Sequence, residues 1–127
     1  MSGLAGNPYA SIVELSKAYR NKSVSPSEVT KAQLARIDAL DTKLGSYQTI
    51  YSDEALAAAK VADKAFTDDA HLGPFHGIPF ALKDIYELKG QITTCGSYEM
   101  RQRISSDTGT VVQRLLEAGG IAIGKTK

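Results

Sequence analysis

The side chain with the most chemistry to offer is Lys83, at the end of the apolar run Ile78-Pro79-Phe80-Ala81-Leu82. Open α/β sheets present their reactive groups at the carboxyl ends of their strands. A lysine can act as a base only as the neutral amine. With an ordinary pKa near 10.4, roughly one part in a thousand is neutral around pH 7 to 8. Lowering that pKa by about three units costs about 4 kcal/mol, and desolvation or a neighbouring cation can supply it. A carboxylate in contact would oppose the shift, so a base role for Lys83 requires the adjacent Asp84 to point away. The ordinary alternative is a solvated surface lysine, and the residues of this run permit both.

Three other features invite a chemical reading. Gly119 to Thr126 fits G-x-x-x-x-G-K-T, the pattern of a phosphate-binding loop. That loop needs a strand before the first glycine and a helix after the lysine. Here a helical pattern precedes and strand-forming Ile121-Ala122-Ile123 fills the middle, so the match reads as accidental. Cys95 has no histidine placed beside it by any recognisable pattern, and reads as a small residue in a tight turn rather than a nucleophile. His76 lies in a loop and reads as a structural hydrogen-bonder. With one cysteine and two histidines, His71 and His76, the segment lacks the ligands of a zinc centre, and no metal or cofactor is expected.

These residues must be positioned by the elements around them. Asn7-Pro8 reads as a helix start, with Ile12, Leu15 and Tyr19 at helical spacing over roughly 8–20. Ser25-Pro26-Ser27-Glu28 is a capping box with proline at the first helical position, opening a helix that bears Leu34, Ile37, Leu40 and Leu44. Tyr47 to Tyr51 is a short β-prone stretch. Ser52-Asp53 then begins a third helix, whose stripe of Ala55, Ala58, Ala59, Ala62 and Phe66 suits close packing. From Leu72-Gly73-Pro74 the character changes. Ile78 to Leu82 reads as a strand buried on both faces, residues 83–107 as loop with one helical turn, and Thr108 or Thr110 as the cap of a last helix. Ile121-Ala122-Ile123 is a second buried strand. Strand, crossover helix, strand is the pattern of a βαβ unit, whose crossover is almost always right-handed. The expected fold is therefore α/β, with a helical layer over 1–71 and the start of a core over 72–127. A sheet of about two strands leaves edges unpaired, so the two parts together read as one incomplete domain.

The string Leu72-Gly73-Pro74-Phe75-His76-Gly77-Ile78-Pro79-Phe80-Ala81-Leu82-Lys83-Asp84 resembles the opening of the amidase signature family, G-P-L-H-G-I-P followed by an apolar run and K-D. Thr93-Thr94-Cys95-Gly96-Ser97 resembles its T-T-A-G-S. Asp107-Thr108-Gly109-Thr110-Val111-Val112-Gln113-Arg114-Leu115 and Leu116 to Thr126 resemble two further blocks, D-A-x-V-V-x-R-L and L-x-E-A-G-A-I-I-L-G-K-T. Cys95 stands where alanine is common, and Lys127 where asparagine is common.

The resemblance implies a mixed sheet flanked by helices and a Ser–cisSer–Lys hydrolase of carbon–nitrogen amide bonds. Lys83 matches the family's catalytic lysine, which takes a proton from a serine held by a cis peptide bond. That serine activates the nucleophilic one, and an acyl-enzyme forms and is hydrolysed. Both serines and the backbone donors for the carbonyl oxygen belong to a later Gly/Ser-rich segment. Ser97, Ser105 and Ser106 are not at the matching positions. The chain is thus expected to supply the lysine and to be inactive alone, the alternative being a non-enzymatic module that keeps the start of the fold. The implied partner is a small-molecule amide, and the resemblance is compatible with a homodimer.

Bulk properties agree with a soluble globular protein: 127 residues, 43% hydrophobic and 23% charged, with a formal charge of +1. No basic stripe invites nucleic acid, and no apolar run is long enough for a bilayer. The start, Met1-Ser2-Gly3-Leu4, lacks the regions of a secretory signal, and a lone cysteine suits a reducing compartment, so a cytoplasmic location is expected.

Overall fold

The computed structural model describes residues 3–68 and 71–127. Helix α1 (Ile12–Arg20) starts four residues later than the Asn7-Pro8 signal predicts. The reason is local. Ser11 and Glu14 form a reciprocal capping box, each side chain accepting from the other's backbone N–H. Asn7 instead closes a turn of its own, its Oδ1 accepting from the Tyr9 amide at 3.0 Å. Helix α2 (Pro26–Leu44) begins where predicted, with the Ser25/Glu28 box intact and proline in its first turn, and ends at Gly45. Helix α3 (Ser52–Thr67) carries the alanine stripe. Ala55, Ala59 and Ala62 are buried on α2 and the sheet, whereas Ala58 is exposed.

The sheet has three strands. β1 (Tyr47–Ile50) and β2 (Pro79–Lys83) flank the central β3 (Ile121–Thr126). β2 and β3 run parallel, joined through helix α4 (Thr110–Glu117), as the βαβ pattern predicts. β1 runs antiparallel to β3, so the β-prone stretch of the helical layer is a member of the sheet. Neither Thr108 nor Thr110 caps α4. Gly109 occupies the cap, and the Thr108 hydroxyl accepts from the Lys89 amide at 3.1 Å.

Two apolar clusters hold these layers. Leu15, Ala18, Tyr19, Val24, Val29 and Ile78 join α1 and α2 to the entry of β2. Ile37, Ala55, Ala59, Ala62, Ile121 and Ile123 join α2 and α3 to β3. Alanine lets a helix approach a strand closely because it has no side chain beyond Cβ to displace. β2 is not buried on both faces: Leu82 is buried, but Ala81 and Lys83 are exposed. The expectation failed because an unbroken apolar run signals two covered faces only when something lies over each. Along α2, Ile37 is buried, while Leu40 and Leu44 are exposed.

Candidate active site

Lys83 is the last residue of β2, in register with Thr126 of β3. The strand end is pinned from both sides, because the Asp84 amide donates to the Thr126 carbonyl at 2.9 Å and the Thr126 hydroxyl to the Leu82 carbonyl at 3.3 Å. Parallel pairing sends both strands out at the same end of the sheet. There Lys83, Asp84, Thr94, Cys95, Gly96 and Lys127 help to line a cleft of about 290 Å³.

The orientation of Asp84 is the decisive electrostatic feature. It is only 4% exposed, and its carboxylate turns inward to accept from the Thr94 amide at 3.1 Å and from the Thr94 hydroxyl. Lys83 makes no ion pair among the described residues. The condition that a base role sets for Asp84 is met. The condition of burial is not, because Lys83 is exposed.

The loop after Asp84 forms the wall of the cleft. It has little regular structure, one 3₁₀ turn at Tyr98–Met100 and a single bridge between Ile92 and Ile104, as its lack of periodicity predicts. Hydrogen bonds define it instead. The Cys95 amide donates to the Asp84 carbonyl at 2.9 Å, and the Ser97 amide to the Thr94 carbonyl at 2.8 Å. Gly96 takes the left-handed conformation expected of it, φ +73°, and Cys95 shares that conformation at φ +52°. Cys95 therefore lies in a tight turn as expected, but exposed rather than packed.

His76 lies elsewhere, with its ring edge-on to Phe66 at 5.5 Å between centroids. Its Nε2 is buried without a hydrogen-bond partner among the described residues, so it packs as an aromatic ring rather than as the predicted hydrogen-bonder. Burial pushes its pKa below the usual imidazole range. A Cβ on Gly119, where φ is +86°, would run into the His76 ring, which explains glycine at that helix end.

Lys125 was missed as a site residue. The G-K-T pattern drew attention to it for the wrong chemistry. Gly124-Lys125-Thr126 are part of β3, so no phosphate cradle forms. The Lys125 side chain is fully buried. Its amine donates to the Ile92 carbonyl at 2.9 Å and to the Thr93 hydroxyl, and lies 3.8 Å from the Asp84 carboxylate. The available signal was a lysine continuing an apolar strand without a break, at a position a solvated lysine rarely takes.

The family model described as Amidase matches residues 28–127, which include every element that builds the cleft. The chain belongs to the amidase family. Among curated relatives of this amidase-family chain, a glutamyl-tRNA(Gln) amidotransferase subunit of Geobacter sulfurreducens is 45% identical over 112 residues, 88% of this chain and 23% of that protein. The corresponding amidotransferase subunit of Acidothermus cellulolyticus is 40% identical over 114 residues, 90% of this chain and 23% of its own length. Among solved structures, the native peptide amidase of Stenotrophomonas maltophilia superposes with a TM-score of 0.86 at 33% identity, covering 94% of this chain and 25% of the other. An amidase family protein of Bacillus anthracis gives 0.85 at 27% identity, over 94% and 24%. The chain spans about a quarter of the length of the relatives it matches. No helix among the described residues is long and apolar enough to cross a membrane, and no three of their His, Cys, Asp or Glu side chains group in a way that could hold a metal ion.

Proposed function

We propose that this chain provides the general base of a hydrolase that cleaves carbon–nitrogen amide bonds, and that Lys83 is that base. The observation that carries the reading is the placement of Lys83 at a strand end, facing a cleft while its neighbouring carboxylate is turned away and bonded to Thr94. Family membership supports the reaction class, and the names of the relatives point to amides as substrates. In the scheme that the resemblance implies, the neutral amine takes a proton from a serine outside this chain. That serine activates a second one, which attacks the amide carbon, and an acyl-enzyme forms as the amine or ammonia leaves. Residues 72–127 then supply most of the start of the catalytic core, which β1 joins and against which α2 and α3 pack. The substrate is a small amide, the setting is the cytoplasm, and a homodimer is compatible with the scheme.

The exposure of Lys83 favours one other reading, a binding module that keeps the start of the amidase fold without the chemistry. Ammonia release from simple amides separates the two. In the intact protein, Lys83→Met should lower kcat/KM by about 10²–10⁴-fold, the usual contribution of a general base. Undiminished turnover by the variant would remove Lys83 from the mechanism. The isolated 127-residue chain should release no ammonia; turnover at the intact protein's rate would overturn the scheme.

A further inference from the structure

Lys83 is followed directly by a carboxylate that, in contact, would keep its amine charged. Two donors and one cation lie against that carboxylate. The Thr94 amide and hydroxyl bind it directly, and the Lys125 ammonium lies 3.8 Å behind it. Thr94 can hold the geometry but carries no charge. Lys125 is the one cation within ion-pairing distance of Asp84 among the described residues, and both side chains are almost fully buried. We propose that Lys125 is a positioning residue for the Lys83 amine: it anchors Asp84 on the inner side of the strand end and cancels its charge, so that Lys83 meets the cleft without an anionic partner. This rests on the reading of Lys83 as the base.

The surroundings of Lys125 fit such a role. A buried lysine without partners would lose its charge, and burial does push its pKa down, with the Asp84 carboxylate opposing that shift. The amine is held in place by the Ile92 carbonyl and the Thr93 hydroxyl, and Thr93 lies 2.8 Å from the buried Ser105 hydroxyl. The anchor therefore ties β3 to both sides of the loop that walls the cleft. The other charged or titratable groups acting on Lys125 are Glu87, Arg103 and Cys95. Tyr51 feels Asp84 from α3's N-terminus, its phenol pushed up to about 12 by burial and then by that carboxylate. Lys83 itself shares its cleft with Asp84, Cys95 and Lys127.

The test is a direct titration of the Lys83 amine in the intact protein, by NMR of lysine labelled with ¹³C at Cε, beside the pH profile of kcat/KM. Lys125→Met leaves Asp84 uncompensated and should raise the Lys83 pKa by about one pH unit, a tenfold loss of neutral amine at a given pH. Asp84→Asn leaves the Lys125 cation unbalanced and should lower it by a similar amount, and the double variant should return near the starting value. A merely structural contact would change stability without moving the titration in opposite directions. Should Lys125→Met fail to fold, Lys125→Gln takes its place, because it removes the charge and keeps a polar group for the Ile92 carbonyl and the Thr93 hydroxyl. A Lys83 titration unmoved or raised in folded Asp84→Asn overturns the proposal. The two readings fail separately: full turnover by Lys83→Met would sink the base assignment, while the NMR titration would still decide the role of Lys125.

Discussion

The helical half of the molecule and the half that carries Lys83 are held together by different physics. Where α2 and α3 meet β3, the contacts are apolar and small, with Ala55 and Ala59 almost fully buried beside Ile121 and Ile123. Around the end of β2, a group of buried polar residues, Asp84, Thr93, Thr94, Ser105 and Lys125, is joined by hydrogen bonds and an ion pair. The first kind of packing tolerates changes of pH and charge but not of volume. The second tolerates little change of charge, because each buried polar group is costly once its partner is gone. A site that must bias one amine needs the second kind nearby, and the scaffold that carries it can use the first.

That contrast can be broken deliberately. The largest expected stability loss follows Lys125→Met, which leaves the Asp84 carboxylate buried beside an uncharged side chain. Breaking one partner of a buried pair costs about 3–5 kcal/mol, read as a lowered midpoint in urea unfolding. In the helical half the sensitive variable is volume, so Ala59→Leu, at a position with 0% exposure, should cost about 1–3 kcal/mol through overpacking. A loss under about half a kcal/mol there would show the α3–sheet contact to be looser than its burial implies. Ser25→Ala removes an acceptor for the Glu28 amide and should cost about 1 kcal/mol, with no change in the Lys83 titration.

The smallest effect sharpens the comparison by pH. His76, packed against the helical layer through Phe66, has its folded pKa below the unfolded value of about 6.5 because burial disfavours the charged ring. Below about pH 6.5 the unfolded chain therefore binds more protons than the folded one. Stability should fall as the pH drops through that value and level off below the folded pKa. Comparing urea midpoints on either side of that value, at about pH 7.5 and 5.5, for the native protein and His76→Leu checks the sign. A variant with the same pH slope would show that His76 is not its source.

Much of the fold was legible because the signals were local. The Ser25-Glu28 capping box set the start of α2, the apolar runs located β2 and β3, and the absence of period over 83–107 matched a loop organised by scattered hydrogen bonds. The errors came where two local signals competed or a partner was remote. Asn7-Pro8 and Ser11-Glu14 both offered a helix start, and the reciprocal box prevailed. Thr108 was available as a cap but bonded Lys89, far back along the chain. At the site, the adjacency of Lys83 and Asp84 showed only that a base role for the lysine sets a condition on the carboxylate, and nothing in the string Gly124-Lys125-Thr126 showed that Lys125 would reach Asp84.

By itself, then, the sequence determined most of the elements, the family, and the lysine that ends β2, because capping boxes, apolar runs and motif blocks act over short stretches of chain. Only the tertiary structure decided that β1 joins the sheet, that Lys83 is exposed while Lys125 is buried, and that Asp84 faces inward. Burial and charge pairing depend on distances between residues far apart in the chain, and those distances exist only once the strands have paired.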